Sequence, residues 1–146
     1  MPFDNPHQTP FGDLERLLET RGRISRSDAW VRGHYRKGGR YCLAAALSLM
    51  CGSRSLYMPN RTERRLSRLI AMQMPFNAPF WIRHRFMPAR RRLIAFNDDP
   101  HTRHDDVLAL LDRTIDHLAS TAPSASPPDQ VARLRYRLSQ CHAARS

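Results

Sequence analysis

The sequence has little cysteine, almost no lysine and no long apolar run. Its three cysteines, Cys42, Cys51 and Cys141, are odd in number and lack C-x-x-C spacing, which argues against a disulfide framework and against a zinc site. The longest apolar run, residues 41–51, makes about three turns of helix and falls well short of the roughly 20 residues that span a bilayer. Residues 1–7 carry neither the basic nor the apolar region of a secretory signal, so we expect a cytoplasmic protein with reduced thiols.

Basic charge is what the sequence has in excess. Its 146 residues include 24 basic and 13 acidic side chains, which gives a formal net charge of +11, and Lys37 is the only lysine. An apolar content of 41% with 25% charged residues is ordinary for one globular domain of this length, so wholesale disorder is excluded. The excess of positive charge indicates a polyanionic partner, either nucleic acid or an acidic protein surface.

Apolar residues recur at helical spacing through most of the chain, which predicts a mainly α-helical, compact bundle of five or six helices. The run at 41–51 is apolar on every side except Ser48, so it should form the buried central helix. Residues 1–119 are expected to form a single helical domain, followed by a flexible connector at 120–128 and a C-terminal helix at 129–146. The other helices are predicted at 10–20, 61–72 and 103–119.

Capping pairs and one break in the helical period refine this prediction. Asn60 with Glu63, and Thr102 with Asp105, have the spacing of capping pairs that open helices. In residues 80–86 the helical period stops, and the side chains alternate between two sets as they do in a short strand. We therefore expect a short extended segment near 80–86 within the helical bundle.

Three segments together resemble a known family of proteins. They are Trp-Val-Arg-Gly at 30–33, the Ala/Leu helix at 41–47 that carries Cys42, and Phe-Asn-Asp at 96–98, which is followed by an amphipathic helix. The chain is similar to an uncharacterised family of small bacterial, mainly actinobacterial, and phage proteins with a Cys-bearing Ala/Leu helix and a Trp-Asn-Asp turn; here Phe96 replaces the Trp. The resemblance implies a compact helical fold and no particular reaction, because the family has no assigned activity.

Basic residues form three clusters, at 21–40, 61–68 and 83–92, whereas acidic residues concentrate at 98–116. At 100° per residue, the arginines of 61–68 share the helix face opposite the apolar one. Like charges at this density repel one another, and a polyanionic partner relieves the repulsion. The side chains expected to bind the polyanion are Arg32, Arg36, Lys37, Arg40, Arg61, Arg64, Arg65, Arg68, Arg90, Arg91 and Arg92.

The alternative hypothesis is a thiol enzyme, papain-like or acyltransferase-like, centred on Cys42. This residue is predicted in the first turn of a helix beside basic residues, where the helix dipole and nearby cations stabilise a thiolate. His101 or His104, with Asn97 or Asp98, supplies the other residue types of a catalytic set, and His104 and Asp98 are the assigned pair. A free cysteine on an apolar helix is more often a core residue, so no catalytic residue is assigned. Turn and capping roles account for the His and Asp residues of 98–106, and neither a metal nor another cofactor is expected.

The expected function is therefore binding rather than catalysis. A small basic protein of this kind engages nucleic acid or an acidic protein surface, as a regulator or a mobile-element accessory protein does. No helix-turn-helix, zinc-finger or ribonucleoprotein motif narrows the choice. A membrane surface is not an expected partner, because the arginine-bearing helix at 61–72 lacks bulky apolar residues able to insert.

Overall fold

Helices dominate the computed structural model, which describes residues 10–55, 57–121 and 135–136. This part of the chain forms six α-helices, one two-stranded antiparallel hairpin and a single 3₁₀ turn at Ser27–Ala29, so the prediction of a mainly helical fold is confirmed. None of the described helices combines the length and the apolar character needed to cross a membrane. In chain order the elements are α1 (Pro10–Arg23), β1 (Arg36–Lys37), β2 (Arg40–Tyr41), α2 (Leu43–Met50), α3 (Arg61–Met72), α4 (Ala78–His84), α5 (Ala89–Asp98) and α6 (His104–Thr121).

Helix α2 lies at the centre, as its apolar composition predicts. Leu43 and Leu47 are fully buried, and the helix packs against α1 and α5. Burial of a leucine side chain stabilises the fold by about 1.5–3 kcal/mol. Gly52 follows the C-terminal end of α2 with φ +68°, a left-handed conformation that glycine adopts without steric cost. The surrounding core side chains are Leu14, Leu17, Leu18, Leu66, Ile70, Leu93, Phe96, Val107, Leu110, Leu111 and Ile115.

Helix α3 begins where the capping pair predicts. The Asn60 side chain accepts a hydrogen bond from the backbone N–H of Glu63 at 2.9 Å, which satisfies one of the free donors at the start of the helix. Leu66 and Ile70 face the core, and α3 packs mainly against α5. This packing fixes which face of α3 remains in solvent.

The predicted extended segment at 80–86 is wrong, because the structure forms helix α4 at Ala78–His84. Asn77 caps this helix by accepting a hydrogen bond from the N–H of Phe80, and a proline occupies its first turn, where a missing N–H costs nothing. Phe80 and His84 lie one turn apart with ring centroids 4.5 Å apart. The alternation looked strand-like because large apolar side chains of this segment are exposed, so burial does not follow the helical period.

The start of α6 differs by one residue from the prediction. The helix begins at His104, and the carboxylate of Asp106 accepts the backbone N–H of Arg103 at 2.8 Å. This bond replaces the predicted cap from Thr102 and Asp105. The turn before the helix is held as the sequence indicates, because Asp99 accepts the N–H of the residue two positions later at 2.8 Å.

The predicted connector and C-terminal helix lie mostly outside the described residues. Helix α6 continues to Thr121, two residues into the predicted connector at 120–128. Within 129–146 only residues 135 and 136 are described, and Arg135 contacts Asp116 of α6 at 3.2 Å. The division of the chain at these boundaries therefore stays a prediction.

Candidate functional site

Residues 29–97, here called the basic segment, contain fourteen basic side chains and a single acidic one, Glu63. Glu63 is fully buried, and its two carboxylate oxygens accept hydrogen bonds from Ser48 and Ser53 at 2.5 Å and from Arg90 at 2.7 Å. Every other carboxylate among the described residues lies before residue 29 or after residue 97. The surface contributed by the described part of the basic segment is therefore free of carboxylates.

Helix α3 presents an uninterrupted arginine face to solvent. Arg61, Arg64 and Arg68 are exposed at i, i+3 and i+7, and within the described ranges none of the three pairs with a carboxylate. Arg65 differs, because its guanidinium turns towards α1 and binds Asp13 at 2.6 Å. The predicted stripe of four arginines is thus three solvent-facing cations and one structural ion pair.

A short hairpin carries a second group of cations. Gly38 (φ +57°) and Gly39 (φ +77°) connect β1 and β2 in a two-residue turn that needs positive φ at both positions. The flanking residues Arg36, Lys37 and Arg40 are all exposed. The guanidinium of Arg36 lies 5.4 Å from the ring centroid of Tyr41, which holds one cation against the hairpin.

The remaining predicted arginines divide between surface and interior. Arg91 is exposed and Arg92 is half-buried, whereas the side chain of Arg90 is only 13% exposed and binds Glu63. Arg32 is exposed, and its guanidinium donates a hydrogen bond to the carbonyl of Thr102. Arg90 and Arg32 therefore have roles in holding the fold, which the sequence clusters do not reveal.

Asn97 joins the segments that carry the family resemblance. Its side chain is fully buried; Oδ1 accepts hydrogen bonds from the indole N–H of Trp30 (2.7 Å) and the backbone N–H of Leu43 (3.1 Å). Its Nδ2 donates to the carbonyl of Val31 (3.1 Å) and to the Asp98 carboxylate (3.0 Å). All four hydrogen-bonding positions of the amide are satisfied, so Asn97 is a structural link rather than a free polar group.

The sequence predicts a turn at Asn97 and Asp98, and this prediction is wrong. The two residues are the last residues of helix α5. Asp98 also accepts the backbone N–H of Gly33 at 2.8 Å. The two side chains tie the C-terminal end of α5 to the loop before the hairpin, and the only sequence signal for this is the shared occurrence of both segments in the family resemblance.

Cys42 precedes the first residue of α2 and caps the helix. Its sulfur accepts the backbone N–H of Ala45 at 3.4 Å, and the residue is 2% exposed. Burial raises the pKa of the Cys42 thiol, and hydrogen bonds from the N–H groups of Ala45 and Ala44 lower it by less. A catalytic thiol needs the opposite shift, since the thiolate is the nucleophile.

The two proposed partners of Cys42 are engaged elsewhere. Nε2 of His104 lies 2.6 Å from the carbonyl of Ile24, so this nitrogen donates, and the imidazole packs against Trp30 with ring centroids 5.5 Å apart. Asp98 is bonded to Gly33 and Asn97. In the part of the chain that the structure describes, no three His, Cys, Asp or Glu side chains converge in a way that would hold a metal ion.

We expect Cys42 to react slowly with iodoacetamide. Labelling at pH 7 should be at least tenfold slower in the folded protein than in urea, because the thiol is buried and its raised pKa keeps it protonated. Since the pKa is raised, the labelling rate of Cys42 should stay below that of an exposed thiol as the pH increases through the range in which an ordinary thiol ionises. Peptide mapping by mass spectrometry separates Cys42 from Cys51 and Cys141. Equal rates in the folded and unfolded chains would favour the thiol-enzyme alternative.

Comparison with known proteins agrees with the predicted resemblance. A family model described as "Family of unknown function (DUF6197)" matches residues 10–117, which is well over half of the chain. The protein belongs to this family. The DUF6197 match spans α1 to α6 up to residue 117, and it includes Trp30, Cys42 and Asn97. No curated protein and no solved structure matches the chain.

Proposed function

We propose that this DUF6197 protein binds the phosphate backbone of nucleic acid through its carboxylate-free arginine surface, without catalysis. The observation that carries the proposal is the charge of the basic segment. It has fourteen basic side chains and one carboxylate, that of Glu63, which is buried and paired with Arg90. A segment whose exposed charged side chains are all positive attracts polyanions, and repulsion between these side chains destabilises the isolated protein. Nucleic acid is the partner that neutralises arginines by direct contact with phosphates.

The arrangement of the α3 arginines suits a phosphate backbone. Arg61 and Arg68 are separated by about 10 Å along the helix axis, which equals about three base-pair steps of B-form DNA and is within reach of successive phosphates of one strand. Guanidinium groups bind phosphate oxygens in a bidentate manner, and they lose less hydration than ammonium groups do. Because such contacts position a protein without reading bases, the binding should tolerate different sequences.

An acidic protein surface is the other partner class that the charge admits. One feature favours nucleic acid over it: the exposed arginines of α3 lie at regular spacing on one helix face, which suits the regularly spaced phosphates of a nucleic acid. A measurement of binding against salt concentration tests the nucleic-acid proposal, because counterion release gives nucleic-acid binding a characteristic salt dependence.

Replacing Arg61, Arg64 and Arg68 with glutamine should weaken binding to a 20-nucleotide DNA and flatten its salt dependence. For the unmodified protein we expect a slope of log K against log salt of about −3 to −5, and loss of three phosphate contacts should reduce its magnitude by about 2 to 3. Fluorescence anisotropy between 50 and 200 mM salt measures both quantities. The three side chains are exposed, so the variant should fold normally.

The matched control removes the same charge from another part of the surface. Arg26, Arg103 and Arg135 are exposed and lie outside the basic segment. Arg26 pairs with Asp28, Arg135 pairs with Asp116, and the backbone N–H of Arg103 is bonded to Asp106. Joint replacement of the three arginines with glutamine should leave the salt slope within about 1 of the original value. Equal effects of the two triple variants would mean that net charge alone attracts DNA. Absence of binding by the original protein at 50 mM salt would refute the proposal for nucleic acid.

A further inference from the structure

The basic segment exposes aromatic side chains as well as arginines. Around helix α4, Phe76 is 79% exposed, Trp81 47% and Phe86 87%. Among the described residues, exposed large apolar side chains concentrate here, and the three exposed aromatic rings within eleven residues are called the α4 aromatic surface. A cluster of exposed aromatic residues on a soluble fold marks a binding surface more often than an isolated exposed residue does.

Packing of α4 against the core fixes the position of the α4 aromatic surface. Phe80, on the inner side of α4, packs edge-on against Phe96 of α5 with ring centroids 6.3 Å apart. On the outside, the rings of Phe76 and Trp81 have centroids 6.4 Å apart at an interplanar angle of 42°. Trp81 is therefore anchored through α4 and Phe76 lies beside it, while much of each ring remains exposed.

Arginine accompanies these rings directly. The guanidinium of Arg85 lies 4.6 Å from the ring centroid of Phe86, and Arg85 follows Trp81 by four residues at the end of α4, a spacing that places both residues on one helix face. Aromatic faces beside a positively charged path are the two elements that proteins use to bind single strands: bases stack on the rings, and phosphates contact the cations. A duplex offers its phosphates but keeps its bases stacked inside, so only a single strand can use both elements.

We infer that the α4 aromatic surface stacks unpaired bases, so that the preferred ligand is single-stranded nucleic acid. This inference rests on the proposed function, because the arginines of the basic segment supply the phosphate contacts. Trp81 and Phe86 are the principal stacking residues. Stacking on a ring accepts any base, which agrees with binding that tolerates different sequences.

Charge argues against the other occupants of such a surface. Insertion into a bilayer would carry Arg85 towards the hydrocarbon together with Phe86, because the two side chains are in contact. Pairing with a second copy of the chain through this surface would bring the exposed Arg83 and Arg85 of both copies together, and like charges would oppose the contact. A polyanion that presents flat apolar faces satisfies both the charge and the exposed rings.

The test compares a single strand with a duplex. The variant W81L/F86L keeps apolar side chains at both positions and removes the aromatic faces. We expect its affinity for a 20-nucleotide oligo(dT) to fall at least tenfold, while its affinity for a duplex of equal length changes less than twofold. The salt slope should not change, because no arginine is altered. Leu49→Ala, at an exposed apolar position on α2, is the control and should change neither affinity.

Tryptophan fluorescence provides an independent measurement. The chain has two tryptophans, and Trp30 is held in the fold by its bond to Asn97. Titration with oligo(dT) should therefore quench the emission of Trp81, and W81L should lose the quenching while it keeps the emission of Trp30. Emission that is insensitive to oligo(dT) in the unmodified protein, at concentrations where anisotropy shows binding, would overturn the inference.

The outcomes separate this inference from the proposed function. If W81L/F86L binds oligo(dT) as the original does while the α3 arginine variant binds both ligands weakly, the inference is wrong and the proposed function stands. If the original protein binds neither ligand at 50 mM salt, both are wrong. Binding to phosphatidylglycerol vesicles, or a dimer detected by sedimentation, would also overturn the inference if W81L/F86L abolished it without affecting oligo(dT) binding.

Discussion

Replacing Asn97 with alanine is expected to lower the free energy of unfolding by about 3 to 5 kcal/mol. The substitution leaves the indole N–H of Trp30, the backbone N–H of Leu43 and the carbonyl of Val31 without their shared partner. Each buried polar group that loses its hydrogen bond costs about 1–3 kcal/mol, and the smaller side chain adds a cavity. Because a domain of this size has a stability of about 5–15 kcal/mol, the variant should be close to unfolding.

The neighbouring residue provides the control for this prediction. Asp98 accepts hydrogen bonds from Gly33 and Asn97 through one oxygen, and asparagine at position 98 retains an oxygen acceptor there. Asp98→Asn should therefore change the stability by less than about 1 kcal/mol. Urea unfolding followed by circular dichroism measures both variants. A fully stable Asn97→Ala protein would show that the link is dispensable, and a stable Asp98→Asn protein without DNA binding would assign position 98 to a functional site.

The second large effect is expected at the buried ion pair. Replacing Arg90 with methionine leaves the Glu63 carboxylate fully buried without its cation, at a cost of about 3–5 kcal/mol. The double variant E63Q/R90M removes both charges. The glutamine oxygen can accept a hydrogen bond from one of the two serines that contact residue 63, and its NH2 group can donate to the hydroxyl oxygen of the other. It should recover at least half of the loss.

A double-mutant cycle measures this coupling. Glu63→Gln alone completes the cycle with the two variants above, and we expect a coupling energy of at least about 1 kcal/mol. Strict additivity of the single effects would contradict the ion pair as described. The folded fraction of Arg90→Met should bind DNA with unchanged salt slope, because the Arg90 side chain faces Glu63 and Tyr35 instead of the ligand. A lower slope would place Arg90 in the interface.

Local sequence patterns predict an element correctly where its cap and its apolar face lie within the same short stretch of sequence. The cap and the apolar face of α3 lie within twelve residues, and both are confirmed. The segment at 80–86 was predicted incorrectly for the converse reason. Its outward face carries aromatic residues that the fold leaves in solvent, so the link between apolar character and burial, on which periodicity depends, does not hold there.

For the arginine surface too, the sequence predicts the features that depend on local spacing and misses those that depend on distant residues. The sequence shows that arginines are abundant and that Arg61, Arg64 and Arg68 share a face. It does not show which arginines are used internally, because the partners are distant in the chain: Arg65 pairs with Asp13 across 52 residues and Arg90 with Glu63 across 27. Only packing of α1, α3 and α5 brings those charges together. The Asn97 link depends on contacts of 54 to 67 residues in sequence separation, for which no local pattern exists.

The exposed hairpin makes one part of the basic surface chemically addressable. Lys37 is the only lysine in the chain, and it lies beside the Gly38–Gly39 turn with its side chain in solvent. Amine-directed reagents do not react with guanidinium groups under mild conditions, so apart from an α-amine they have one target in this protein. A fluorophore or a cross-linker attached there is placed beside the proposed interface at a known position. Enzymatic acylation of lysine can likewise remove only one of the 24 basic charges. The positive charge of the protein is therefore almost insensitive to lysine modification.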